Sequence, residues 1–270
     1  MNDVTFIIKT FERPECIKRL VKSIYKYYKD AIILVGDDSK ISCKKYIEQK
    51  YYDKNIKVYE LPKDCGLSYG RNYLLNEVKT KYFVLLDDDF MFDKKTNIEE
   101  ALEIINNKNI DILGGFIRNY KIVHSIFDRI IVLGQLVFRY ELASNYIGKI
   151  RQNGKTLFVD YEKFRFPDYE EVDLVMNFFI AKTESVLRSK WDDDLKLQEH
   201  TAFFYKAQLN GLKVAFTNKL SIRHMPVQLK AYSSFRGRNF SKIFMEKNNI
   251  DKIISTYDGG PEQIQVISND

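Results

Sequence analysis

The first ninety residues run as short apolar blocks separated by amphipathic ones. "VTFIIK" (4–9) joins β-branched and aromatic residues in one run and predicts a strand. Ile17, Leu20, Val21, Ile24, Tyr25 and Tyr28 then recur at helical spacing and predict a helix with one apolar face. Pro14 and Glu15 suit the first turn of that helix. "AIILVGDD" (31–38) predicts a second strand, 43–52 a short helix and "IKVYEL" (56–61) a third strand. "GLSYGRNYLLNEV" (66–78) reads as a glycine-containing turn into a helix, and "YFVLLDDD" as the fourth strand. Nearly unbroken apolar runs suit a parallel sheet covered on both faces. Alternating strand and helix imply right-handed crossovers and a doubly wound α/β sheet.

Such a sheet binds ligands at the carboxyl ends of its strands, near the point where strand order reverses. Thr10, Phe11 and Arg13 follow the first strand, Asp37 and Asp38 end the second, and Asp87, Asp88 and Asp89 end the fourth. Three adjacent carboxylates repel one another, and burying an unpaired charge is costly. They persist where they are solvated or where a cation neutralises them, and carboxylate oxygens suit Mg²⁺ or Mn²⁺. A helix N-cap or an acidic turn is the plain alternative for the triple aspartate, and an Asx turn for Asp37 and Asp38. A nucleotide pocket with a metal is the functional reading. No G-x-G-x-x-G follows the first strand and no G-x-x-x-x-G-K-[ST] occurs, which excludes a dinucleotide fingerprint and a P-loop.

In the second half, "NFFIAKT" (177–183), a helix from about Gln198 and "KVAFTNKLSIRHMP" (213–226) stand out, the last read as strand, turn, strand and then His224. Asn153–Gly154 between strand-like residues signals a hairpin, and 126–142 could form a helix with one apolar face. A neutral imidazole after the last strand is a candidate metal ligand. The chain has 270 residues, 45% hydrophobic and 30% charged, enough for one large domain or a domain with an extension. No apolar run reaches the ~18 residues of a membrane span. The N-terminus lacks a leader pattern, and three scattered cysteines form no disulfide framework, so a reducing, cytoplasmic setting is expected. Between Lys219 and Lys247 there is a local excess of six positive charges, suited to a ligand's phosphates or to the inner face of a membrane. No zinc-finger or RNA-recognition signature accompanies it, so no nucleic-acid partner is expected.

The order T-F-x-R after strand one, "GDDS" after strand two, "GRN" opening a helix and "DDDF" after strand four resembles a GT-A glycosyltransferase of the family 2 type. The stretches "VTFIIKTFERPECIKRLVKSIYKYY", "GRNYLLNEVKTKYFVLLDDDF", "DILGG", "NFFIAKTESVLR" and "EHTAFF" resemble the catalytic domains of β-1,4-N-acetylgalactosaminyltransferases, over 4–117 and 173–226. The resemblance implies a GT-A fold: a Rossmann-like, doubly wound mixed sheet flanked by helices, in one domain with a C-terminal helical extension. It implies a nucleotide-sugar-binding half at 1–117, an acceptor-binding and catalytic half at 118–226, and a basic extension at 227–270 on the active site or a membrane. The implied reaction is an inverting, Mn²⁺- or Mg²⁺-dependent transfer of a hexose or N-acetylhexosamine, with GalNAc favoured. The donor would be a UDP-sugar, and the acceptor a glycan, glycolipid or other hydroxyl. Thr10, Phe11, Arg13, Asp37, Asp38, Arg71, Asp87, Asp88, Asn177, Arg236 and Arg238 would hold the nucleotide-sugar, and Asp89 and His224 the metal. Glu199 would be the general base; relatives commonly carry an acidic pair where this chain has Glu199–His200, so Asp193, Asp194 and His200 stay open as alternatives. A catalytically inactive sugar-nucleotide-binding scaffold is the alternative function.

Overall fold

A computed structural model describes residues 2–122, 138–141, 145–163, 167–226, 240–257 and 265–268. The predicted alternation appears as β1 (Val4–Thr10), α1 (Pro14–Tyr27), β2 (Ile32–Asp37), α2 (Lys44–Lys50), β3 (Ile56–Glu60), α3 (Leu67–Glu77) and β4 (Tyr82–Asp87). β5 (Phe90–Met91) and α4 (Ile98–Lys108) follow. Next come β6 (Ile112–Ile122), β7 (Phe138–Glu141), β8 (Tyr146–Asn153), β9 (Thr156–Lys163), β10 (Glu170–Val172) and β11 (Phe179–Lys182). α5 (Thr183–Ser189), α6 (Glu199–Leu209), β12 (Val214–His224), α7 (Ser241–Lys247), β13 (Lys252–Tyr257) and β14 (Gln265–Ser268) complete the order.

The main sheet runs β10-β12-β6-β11-β4-β1-β2-β3. β3, β2, β1 and β4 are mutually parallel, whereas β11 lies antiparallel between β4 and β6. This makes the sheet mixed, as GT-A architecture requires, and puts apolar cores on both faces. One core packs α1 and α4 against Phe6, Ile8, Val84 and Leu86; the other packs α3, α5 and α6 against Ile7, Phe83 and Leu85. Successive strand residues point to opposite faces, so each strand feeds both cores. α1 buries Ile17, Leu20, Val21 and Ile24 along its predicted stripe.

Three local expectations change. The 213–226 segment is one strand, β12, whose register against β6 shifts between Thr217 and Ser221; a bulge stands where a turn was expected. Of the expected helix at 126–142, the described part, Phe138–Glu141, is a strand paired with β6. The C-terminal extension contributes one helix, α7, but also β13 and β14. These join the β8–β9 hairpin in a second, four-stranded sheet ordered β14-β13-β9-β8, with Asn153 opposite Thr156 across the Gly154 turn. This second sheet shares a core with α6 and α7.

Candidate active site

The parallel register brings the predicted polar ends together, since Thr10 pairs with Asp37 and Lys9 with Asp87. Asp88 is wholly enclosed, at 0% exposure. Thr10 Oγ1 donates to Asp88 Oδ2 at 2.7 Å, and the Arg13 guanidinium bridges Asp88 and Asp89, with NH1 2.7 Å from Asp89 Oδ2. Burial pushes the Asp88 carboxyl up to about 7, against the pull of Arg13. Burial also pushes Asp89 upward, but the His224 hydrogen bond and Arg13 outweigh it and hold that carboxyl below its ordinary range. Arg13 has no side-chain role in capping α1; its two amino groups pair with Asp88 and Asp89.

His224 ends β12 beside this cluster, because its partner strand β5 follows the aspartates directly and pairs Phe90 with His224. Its Nδ1 lies 2.5 Å from Asn119 Oδ1 and donates to it, which leaves Nε2 facing Asp89 Oδ2 at 3.4 Å. An imidazole lone pair and a carboxylate oxygen are both acceptors, so a proton or a cation must lie between them. Asp89 and His224 thus suit one hard cation, with Asn119 fixing the ring as an outer-shell partner does. Among the described residues no group of three or more metal-binding side chains comes together, so remaining ligands would come from phosphate oxygens and water.

The other predicted residues have partners within the chain. Asp37 is buried and accepts from the Ser39 and Cys43 backbone amides at 3.0 and 2.7 Å, so both its oxygens hold the β2–α2 loop in an Asx turn. Asp38 forms an ion pair with Lys9 and accepts from Gly66 N at 3.2 Å. Gly66 is the N-cap of α3 at φ 92°, and a Cβ there would lie 2.6 Å from the Lys196 backbone. Phe11 is half-buried beside the Lys9 ammonium.

Arg71, expected to hold the nucleotide-sugar, is 1% exposed: NH1 lies 2.5 Å from Glu199 Oε1 and NH2 3.2 Å from Asp87 Oδ1. A fully buried guanidinium requires such counter-charges. Glu199 opens α6 and is itself buried. Asn177 Oδ1 pairs with His200 Nδ1 at 2.8 Å, and burial drops the His200 imidazolium to about 4, so this ring is neutral near pH 7. His200 Nε2 is enclosed and makes no hydrogen bond. Asp193 accepts from Asn72, and Asp194 is exposed and paired with Lys247. Arg236 and Arg238 lie outside the described residues.

Two contributors escape sequence reading: Lys9, the Asp38 counter-ion, and Asn119, which orients His224. Lys9 alone left a signal, a lysine inside an otherwise apolar strand.

Carboxylates, a histidine and an arginine therefore converge where an α/β sheet places its ligand. The sequence model of "Glycosyl transferase family 2" matches residues 5–165, more than half of the chain. The chain belongs to glycosyl transferase family 2. Among curated relatives of this family 2 chain, mouse (Mus musculus) β-1,4 N-acetylgalactosaminyltransferase 2 is 32% identical over 207 residues, 75% of this chain and 36% of the relative. Rat (Rattus norvegicus) β-1,4 N-acetylgalactosaminyltransferase 1 is 29% identical over 221 residues, 82% of this chain and 38% of the relative. The family 2 chain thus spans little more than a third of the length of these relatives. Among solved structures, that of S. aureus TarS 1-349 in complex with UDP-GlcNAc superposes with a TM-score of 0.59 at 18% identity, covering 86% of this chain and 61% of that one. That likeness shows the fold, a mixed sheet of GT-A type flanked by helices.

Proposed function

We propose that this chain is the catalytic domain of an inverting transferase that moves a hexose or N-acetylhexosamine, GalNAc in the leading reading, from a UDP-sugar to a hydroxyl acceptor. The carrying observation is the convergence of Asp88, Asp89, Arg13 and His224 at the carboxyl ends of β1 and β4 in a family 2 chain. The relatives named for N-acetylgalactosamine transfer and the neighbour's bound UDP-GlcNAc support the donor class.

In this reading Asp89 and His224 would hold Mn²⁺ or Mg²⁺, and the cation would supply positive charge to the leaving diphosphate. Asp87, with its side chain partly open at 35%, is the aspartate able to meet the ribose. Asp38 and Thr10 frame the nucleoside end, with Phe11 at its rim. The acceptor oxygen attacks the anomeric carbon, the bond to the UDP oxygen breaks, and the hydroxyl proton passes to Glu199. Arg71 positions that carboxylate from behind. Glu199 is preferred for its place at the start of α6; His200 Nε2 is enclosed, Asp194 faces Lys247, and Glu199 itself is buried against Arg71. The acceptor, a cytoplasmic setting and peripheral contact of the basic C-terminal region with the inner membrane face belong to this proposal. No helix among the described residues is long and apolar enough to cross a membrane.

A donor panel tests the reading: nucleoside diphosphate release from UDP-GalNAc, UDP-GlcNAc, UDP-Gal, UDP-Glc, a GDP-sugar and a dTDP-sugar, with Mn²⁺ and with EDTA. Metal-dependent turnover of one UDP-sugar is expected. Binding without any turnover, acceptors included, would favour the inactive scaffold; preference for a GDP- or dTDP-sugar would overturn the donor class.

A further inference from the structure

Away from the aspartate cluster, a cavity of about 660 Å³ opens between the second half of α1 and the β5–β12 ribbon. That volume falls within the range of small-ligand sites. Its lining shares no residue with Thr10, Arg13, Asp87–Asp89 or His224. Arg19, Lys22 and Lys26 stand along it at helical spacing, and Arg223 joins from β12. Lys22 and Lys26 are exposed, and among the described residues neither meets a carboxylate. Asp93 is the one acid in the lining, and Arg118 and Arg223 already bind it.

A solvated basic helix face would explain the lysines but not the two donors buried at the wall. Arg19 donates through NH2 to the Met225 carbonyl at 2.9 Å, yet its Nε is enclosed without an acceptor. Tyr25 Oη is likewise enclosed with no hydrogen-bond partner, although its ring packs 5.3 Å from that of Tyr51. Leaving a buried donor unmade is costly, and a side-chain rotation that turned either group into the cavity would let a ligand oxygen recover that loss. Tyr25, Tyr51 and Phe92 add aromatic surface of the kind that lines organic-ligand sites, so a bare anion would leave most of the cavity unused.

We propose that this cavity binds an oxyanion-bearing sugar, a saccharide carrying a phosphate or carboxylate group. The anion sits among Arg19, Lys22, Lys26 and Arg223, and the ring lies on the tyrosines. The site stands whether or not the donor reading holds.

Calorimetric titration tests this, in excess UDP and Mn²⁺ so that a sugar phosphate does not report on the other cleft. The probes are glucose 6-phosphate, glucuronate, glucose, inorganic phosphate and phosphatidylglycerol vesicles. At least one of the two sugar anions should bind saturably, about tenfold or more tighter than glucose or inorganic phosphate. The double variant Lys22→Glu/Lys26→Glu should weaken it about tenfold or more with an unchanged melting temperature, since both side chains are exposed. Tyr25→Phe should weaken it about threefold without loss of stability, because the hydroxyl has no partner in the chain. Absence of saturable sugar-anion binding up to about 10 mM overturns the proposal. So does binding that ignores the lysine reversals, inorganic phosphate binding as tightly, or vesicle binding alone, which would make the face a membrane contact.

Discussion

Asp93 shows how this chain handles buried charge. Burial pushes its carboxyl up, but Arg118, the Lys95 amide and Arg223 pull harder and lower it from 3.8 to about 2. A carboxyl depressed in the folded state contributes stability above its unfolded value, and that contribution is lost as pH falls through the folded one. The shift corresponds to about 2 kcal/mol, present above pH ~4 and fading toward pH ~2. Asp93→Asn should therefore lower the urea midpoint at pH 7 and flatten its fall between pH 4 and 2; equal slopes in parent and variant would contradict this. Glu199 carries a different expectation. Glu199→Gln is nearly isosteric and leaves Arg71 its second partner, Asp87. If Glu199 is the base, kcat should drop by ~10²–10⁴ with donor KM nearly unchanged. A normal rate in this variant, with failure of His200→Ala or Asp194→Asn at intact donor binding, would move the role to that neighbour.

At the scale of elements, close approach explains the glycines of β6. A Cβ on Gly114, in the strand between β11 and β12, would lie 2.5 Å from the Val175 side chain. Gly114→Ala should cost about 1–3 kcal/mol by overpacking. Val175→Ala in the same chain should restore part of it, a coupling readable in a double-mutant cycle of urea midpoints; strict additivity would mean that the strand shifts instead. Elements whose pattern is local were legible in the sequence: β1 to β4 by their apolar runs, α1 by its stripe, the β8–β9 turn by Asn153–Gly154. What depends on distant partners was not. β11 lies antiparallel between β4 and β6, and β13 lies parallel to β9 across 96 residues of chain, as the Lys252–Thr156 pair shows. No period of two or 3.6 encodes which strand will lie alongside. The same limit governs the site: three aspartates in a row announce themselves, whereas the burial of Arg71 between Asp87 and Glu199 depends on residues 128 apart.

For the whole molecule, a mixed sheet with a core on each face holds the carboxyl ends of β1, β2 and β4 in fixed register, and β12 returns His224 to them through β5. A sheet edge built this way is preorganised for a charged ligand, since its counter-ions, Arg13 and Lys9, are already seated. The basic cavity behind α1 gives the molecule a cationic surface, opposite in sign to the aspartate cluster and sharing no residue with it. The central claim is that the Asp88–Asp89–His224 edge binds a UDP-sugar through a divalent cation. Calorimetric titration of UDP into the protein with Mn²⁺, repeated in EDTA and with Asp89→Ala and His224→Ala, addresses it most directly. The account predicts saturable binding with Mn²⁺, at least ~10-fold weaker in EDTA and in Asp89→Ala, and about 10–100-fold lower Mn²⁺ affinity in His224→Ala. UDP binding of equal strength in all four cases would contradict it.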